Sequence, residues 1–185
     1  MKRLLPVGAL LLGSALVHVP AAAQAAVWSF TYTGFYDQEA RSFLPDTKLS
    51  GSFSGTDGNG DGTLELGELT TLMVGATDFI SCAAASNAFY HCGADRFRFS
   101  PASGLSFSLG EYGSDPEGWV GGGHLVETGA LSYEYRFDPY SSYERHLQWT
   151  RSTTLQVVSV VPEPAGWAML GGGLAGIALW RRRRA

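Results

Sequence analysis

The last 25 residues constrain the fate of this chain more than any other segment. An acidic motif bracketed by prolines precedes an apolar run and a basic cluster: Val161, Pro162, Glu163 and Pro164, then Ala165 to Trp180, then Arg181, Arg182, Arg183 and Arg184. As a helix, the apolar run spans about 24 Å against a hydrocarbon core about 30 Å thick, so it predicts a short transmembrane helix. This order is typical of a signal that cellular machinery reads. The arginines favour the cytoplasm, which places the body outside.

These residues resemble the C-terminal sorting signal of the bacterial PEP-CTERM family, in which the same three parts follow one another. The resemblance implies exosortase, a membrane-embedded transpeptidase-like enzyme, as a partner and the inner membrane as a transient location. It further implies a destination at the cell surface or in the exopolysaccharide-containing biofilm matrix of a Gram-negative bacterium. It covers 161–184 only, so the body must be interpreted separately. The alternative is an ordinary single-span anchor whose prolines start the helix.

The N-terminus has the composition of a secretory signal peptide. Lys2 and Arg3 precede the apolar stretch Leu4 to Val19, and Ala23-Gln24-Ala25 has the A-x-A form of a cleavage site. We therefore expect export by the Sec machinery and cleavage after Ala25, with Ala21-Ala22-Ala23 as the competing site. The predicted organisation is a signal peptide at 1–25, a mature extracellular domain at 26–160 and a sorting signal at 161–185.

The body between the two signals is acidic. The whole chain has 13 Lys and Arg and 17 Asp and Glu residues. Without the six basic and one acidic residues of the signals, 7 basic and 16 acidic residues remain, a net charge of −9. This balance argues against nucleic acid as a partner and is compatible with cation binding.

Most of the body has the period-two alternation of β-strands. The clearest case is Leu131 to Phe137, where Leu131, Tyr133, Tyr135 and Phe137 are predicted to share one face of a half-buried strand. Further strands are expected at Val27 to Tyr36, Lys48 to Ser54, Arg96 to Ser100, Gly104 to Leu109, His124 to Val126 and Leu147 to Val160, with loops at Gly113 to Gly123 and Asp138 to Ser142. The prediction is a mainly β domain, an antiparallel sandwich or barrel.

The segment from Asp57 to Glu68, here called the acidic loop, carries the one motif with defined chemistry. It fits D-x-[DN]-x-[DN]-G-x5-E without a mismatch and resembles an EF-hand calcium loop. Calcium takes six to eight oxygen ligands, and the spacing assigns them to Asp57, Asn59, Asp61, the Thr63 carbonyl, Glu65 and Glu68. The cofactor prediction is therefore a structural calcium ion. The alternative is a glycine-rich acidic turn that binds nothing.

The flanks of the acidic loop depart from an EF-hand. Leu49 to Gly55 is too rich in serine and glycine for an entering helix, whereas Glu65 to Val74 is predicted to form one short exiting helix. A calcium loop with only one flanking helix argues against the opening of a helix pair by which EF-hand sensors respond to calcium.

Cys82 and Cys92 are the only cysteines. An even pair in an exported chain predicts a disulfide. The alternative, a metal pair completed by His91, lacks the further ligands that zinc needs.

No pattern nominates catalytic residues, so we expect a non-enzymatic protein. The three body histidines lie on separate segments, and no G-x-S-x-G motif occurs. Three classes remain: a surface or matrix protein, a carbohydrate-binding module and a secreted hydrolase. An aromatic row exposed on one sheet face would favour the second. Two carboxylates, or a nucleophile and a histidine, converging in one cleft would favour the third.

Overall fold

The computed structural model describes residues 26–160, and the predictions for the signal peptide and the sorting segment lie outside this range. Eleven strands and two single-turn 3₁₀ helices, Leu66–Glu68 and Ser81–Ala85, make up the described body. The strands are β1 (Ala26–Asp37), β2 (Ser42–Gly55), β3 (Leu64–Glu65), β4 (Leu69–Val74), β5 (Thr77–Asp78), β6 (Tyr90–Ser100), β7 (Gly104–Ser114), β8 (Gly121–Glu127), β9 (Leu131–Asp138), β10 (Ser141–Gln148) and β11 (Thr154–Val160).

All strands join one antiparallel sheet in the order β3-β6-β7-β8-β9-β10-β1-β2-β4-β5. Strand β10 pairs with β1 only at Tyr36 and Asp37, and β11 then continues along the same edge of β1, from Thr33 to Val27. The prediction of one closing strand from Leu147 to Val160 is therefore wrong, because residues 149–153 interrupt it. The prediction of a mainly β, antiparallel domain is confirmed.

The sheet curls so that β1 and β2 pack against β6 and β7. Aromatic rings fill the space between them: the Phe53 ring centroid lies 5.0 Å from that of Phe97 and 4.9 Å from that of Phe99. Phe30 packs 5.3 Å from Phe107 in the same way. The result is a half-barrel built from a single curled sheet rather than a sandwich of two sheets, and edge-to-face aromatic pairs fill its core.

Gly51 shows how tightly this core is built. Strand β2 pairs Gly51 with Phe30, and a Cβ at this position would collide with the Phe30 ring and with the Met73 carbonyl oxygen. The glycine therefore lets the Phe30 ring lie across the neighbouring strand, which explains a residue that is otherwise unfavourable in a strand.

The predicted helix from Glu65 to Val74 is wrong beyond its first turn. Only Leu66–Glu68 is helical, and Leu69–Val74 forms β4, which pairs with β2. Leu72 and Val74 alternate into the core at 0% and 5% exposure. Pairing with β2 buries these side chains at period two, and this tertiary gain outweighs local helix preference.

The two predicted loops are also shorter than expected. Strand β7 runs to Ser114 and β8 begins at Gly121, so the loop predicted at Gly113 to Gly123 is confined to the six residues 115–120. Likewise β9 ends at Asp138 and β10 begins at Ser141, which leaves a two-residue hairpin turn in place of the loop from Asp138 to Ser142.

Candidate functional site

The acidic loop lies between β2 and β4, contains the short strand β3, and is held by its own side chains. Asp57 accepts hydrogen bonds from the backbone N–H groups of Gly60 at 2.7 Å and Gly62 at 2.8 Å. Asn59 Oδ1 accepts from the Asp61 N–H at 2.9 Å. Gly60 and Gly62 both have positive φ, +73° and +79°, which glycine adopts at little cost. The first half of the loop is therefore a tight turn around the Asp57 carboxylate.

Glu68 closes the second half of the acidic loop. Its two carboxylate oxygens accept from the N–H of Gly58 at 2.9 Å and from the N–H of Glu65 at 3.1 Å. The Thr63 N–H donates to Asp61 Oδ1 at 2.8 Å, and the Thr56 N–H donates to the Glu68 carbonyl oxygen at 3.1 Å across the neck of the loop. Both ends of the motif are thus joined.

The donor chemistry of the acidic loop fits calcium, because its polar side chains offer only hard oxygen ligands. Within residues 26–160, however, no group of three or more His, Cys, Asp and Glu side chains is arranged to hold a metal ion. The carboxylates of Asp57 and Glu68 accept backbone N–H groups instead. The calcium site stays a prediction.

Cys82 and Cys92 are joined by a disulfide with a Cα–Cα distance of 5.6 Å. It ties the 3₁₀ turn at Ser81–Ala85 to β6, where Cys92 is 1% exposed. His91, the third ligand of the alternative metal site, packs against Tyr112 with the two ring centroids 4.9 Å apart. The cysteines therefore crosslink the core. Neither thiolate is available to the alternative metal site, because both sulfurs are in the disulfide.

Three parallel rows of side chains cross the β6–β10 part of the sheet on its core-facing side. Residues directly opposite each other on neighbouring strands share a face, so the register defines the rows. They are an apolar row (Leu109, Val126, Ser132, Leu147), a carboxylate row (Cys92, Glu111, His124, Glu134, Arg145) and a glycine row (Tyr90, Gly113, Gly122, Arg136, Tyr143). The first extends the core. The glycine row and the three central residues of the carboxylate row, Glu111, His124 and Glu134, line an open groove of about 1130 Å³, here called the trough.

Hydrogen bonds fix the polar side chains of the trough. Glu111 accepts from the Tyr90 hydroxyl at 2.8 Å and from the Thr77 hydroxyl at 3.0 Å. The hydrogen bond to Glu111 raises the pKa of Tyr90. His124 Nε2 lies 3.1 Å from Ser132 Oγ. Burial lowers the pKa of His124 and so favours the neutral imidazole, although the nearby Glu134 and Glu111 carboxylates oppose this shift.

The opposite face of β9 carries an aromatic row, which confirms the prediction that these side chains share one face. Tyr133, Tyr135 and Phe137 form a continuous stack, with centroid distances of 5.3 and 6.4 Å, and remain partly exposed. Ser132, on the other face, is buried at 7%. A Cβ at Gly123 would come 2.8 Å from the Tyr135 ring, so the glycines of β8 make room for this row. In the sequence, the run Gly121-Gly122-Gly123 is the signal that could have indicated both the glycine row on one face of β8 and the space for the aromatic row on the other.

The other aromatic residues of the body divide between core and turns. Trp28 stacks on Phe53 at 5.2 Å, and Trp149 packs edge-on against Phe35 at 4.8 Å, so both belong to the core. Trp119 and Tyr140 are 65% and 97% exposed on turns. Tyr143, which is 46% exposed, lies at the trough, as Tyr90 does.

The C-terminal segment supplies the decisive comparison. Residues 160–184 match the family model of the PEP-CTERM protein-sorting motif. The chain carries a PEP-CTERM sorting motif. The match contains every residue of the predicted signal, from Val161-Pro162-Glu163-Pro164 through Arg184. A PEP-CTERM motif implies an exported protein that is membrane-anchored in transit and processed by exosortase.

Comparison with curated proteins and with solved structures returned no significant match for the chain. No helix within residues 26–160 is long and apolar enough to cross a membrane. The sorting residues and the expected cleavage site after Ala25 lie outside the described range, so the structure adds nothing on their geometry.

Proposed function

We propose that the chain is a non-enzymatic exported protein that Sec machinery and an exosortase deliver to the cell surface or the extracellular matrix. The observation that carries this proposal is the PEP-CTERM match over residues 160–184. The body then acts at its destination as a compact domain crosslinked by Cys82–Cys92.

The strand arrangement supports delivery through a single membrane. Strands β1 and β11 are antiparallel neighbours, and Val27 pairs with Val160. The beginning and the end of the body therefore lie at the same end of the sheet. The predicted signal peptide and the sorting motif both attach there, so both apolar segments can enter one membrane without crossing the domain.

We propose calcium as the structural cofactor of the acidic loop, held by oxygens of Asp57, Asn59, Asp61, Thr63, Glu65 and Glu68. Two features support it: the complete ligand spacing and the closure of the loop by the hydrogen bond from the Thr56 N–H to the Glu68 carbonyl oxygen. An extracellular site with a Kd on the order of 10⁻⁴ to 10⁻³ M would be occupied.

The trough bears on the two alternative functions. Its carboxylate row brings Glu111 and Glu134 to either side of His124, as a hydrolase would require. Acid catalysis, however, needs one protonated carboxylic acid. In this structure both carboxylates act as acceptors: Glu111 receives hydrogen bonds from two hydroxyl groups, and Glu134 pairs with Arg136 at 3.0 Å. The same groups suit binding better than catalysis, so carbohydrate binding is the second candidate.

The sorting function is tested by replacing Pro162, Glu163 and Pro164 with alanines. We expect export to continue, because the N-terminal signal is intact, and the full-length form to accumulate in the inner membrane through its apolar run and arginines. Fractionation and intact-mass analysis give the location and the C-terminus. A variant that reaches the same location with the same C-terminus as the wild type would contradict the proposal.

A further inference from the structure

The glycine row gives the trough a floor without side chains. Gly113 and Gly122 are its second and third members, and they lie between Tyr90 at one end and Arg136 and Tyr143 at the other. Neighbouring strands are about 4.8 Å apart, so the row measures roughly 19 Å along the sheet from Tyr90 to Tyr143. The Tyr90 ring and the Arg136 side chain come within 3.2 Å of the positions that Cβ atoms on Gly113 and Gly122 would occupy, so the two glycines leave room for these neighbouring side chains. The trough is therefore an elongated depression with a tyrosine at each end.

The inner wall of the trough presents two carboxylates on either side of an imidazole. Glu111 and Glu134 flank His124, whose Nδ1 has no hydrogen-bond partner among the described residues. A carboxylate accepts only, and a hydroxyl donor bound to it makes a short, charge-assisted hydrogen bond. This wall therefore suits a ligand that presents several hydroxyl groups.

The cations near the trough are already paired. Arg136 lies 3.0 Å from Glu134, and Arg145 lies 3.3 Å from Asp37. With a body charge of −9, the surface repels polyanions, so an acidic polysaccharide or a nucleic acid is a poor match. An extended peptide would seek an open sheet edge. The trough instead lies on a sheet face, where Tyr90 and Tyr143 offer flat rings against which a ligand can stack.

We infer that the trough binds a segment of neutral oligosaccharide, with hydroxyl groups on Glu111 and Glu134 and sugar rings against the two tyrosines. The length and openness of the depression fit a linear chain of several sugars rather than a single small molecule. This inference deepens the proposed function by naming a ligand class for the body, and it is tested independently of the tail.

The test uses the exported protein with arrayed hexasaccharides of the cellulose, xylan and mannan types and, as the anionic probe, hexagalacturonate. We expect binding to at least one neutral probe and none to hexagalacturonate. Glu134→Gln and Tyr143→Ala should each weaken that binding about tenfold, which corresponds to about 1.4 kcal/mol. The matched controls are Glu144→Gln, which lies on the opposite face, and Tyr140→Ala, which lies on a turn outside the trough. Both should bind as the wild type does.

Three results would overturn the inference: no binding to any neutral probe, binding to hexagalacturonate alone, or equal losses in trough and control variants. Thermal melts of each variant separate lost binding from lost folding. Recovery of shortened hexasaccharides would contradict the non-enzymatic function instead. Intact mass of the same preparations reports tail processing, so failure of the sorting proposal is recognised separately.

Discussion

Removal of the Cys82–Cys92 crosslink should lower stability by an amount that follows from the size of the closed loop. The two cysteines are 10 residues apart. The chain-entropy relation gives about 2.7 kcal/mol for a loop of this size at 25 °C. For a domain of this length, that corresponds to a fall in melting temperature of roughly 10 °C.

Substitution of Cys92 lowers stability in a second way, through loss of core packing, and comparison with Cys82 separates the two effects. Cys92 is 1% exposed and packs in the core, whereas Cys82 is only partly buried. Cys82→Ala therefore breaks the bond with the smaller packing defect, and Cys92→Ala should cost more because it also leaves a cavity.

The assay is thermal unfolding followed by circular dichroism, for wild type with and without reductant and for both variants. We expect Cys82→Ala to match the reduced wild type and to be insensitive to reductant. Oxidised and reduced wild type with the same melting temperature would refute the reasoning.

Three further predictions concern the acidic loop, the core and the trough. Calcium should raise the melting temperature of the wild type relative to chelator, and a variant with Asp57→Ala and Glu68→Gln should melt at one temperature in both. Gly51→Ala should destabilise by about 1 to 3 kcal/mol in denaturant titrations through overpacking, whereas Gly67→Ala, with open space at its Cβ, should be near neutral. Burial lowers the pKa of His124 in the folded state, so the unfolded chain binds the proton more readily. Stability should therefore fall as the pH drops below about 6.5. In thermal melts between pH 7.5 and 5, His124→Asn should reduce this loss of stability. An unchanged pH dependence in that variant would contradict the assignment.

The sequence was informative wherever the controlling interactions are local. Alternation over Leu131 to Phe137 predicted β9, and the two cysteines predicted the disulfide that the structure contains. Both depend on contacts between residues near one another along the chain. The sorting motif belongs to the same class, because it is read as a linear signal.

What the sequence could not provide depends on register and curvature. Alternation separates the two faces of β9 but does not say which face meets the core, and the curl of the sheet buries Ser132 rather than Tyr135. The strand after the acidic loop looks helical by composition and becomes β4 only because β2 is beside it. Glu111, His124 and Glu134 come from three strands, so only the strand register reveals the trough.

The central claim, that the tail is a removable sorting signal, is tested most directly by the mass of the C-terminus. The protein is purified from cells with and without the exosortase and analysed intact. The account predicts that wild-type cells yield a form without Arg181 to Arg184 and that exosortase-deficient cells retain the arginines in the membrane fraction. A protein that keeps its four arginines at its destination in wild-type cells would contradict the account and would favour the alternative, a permanent membrane anchor.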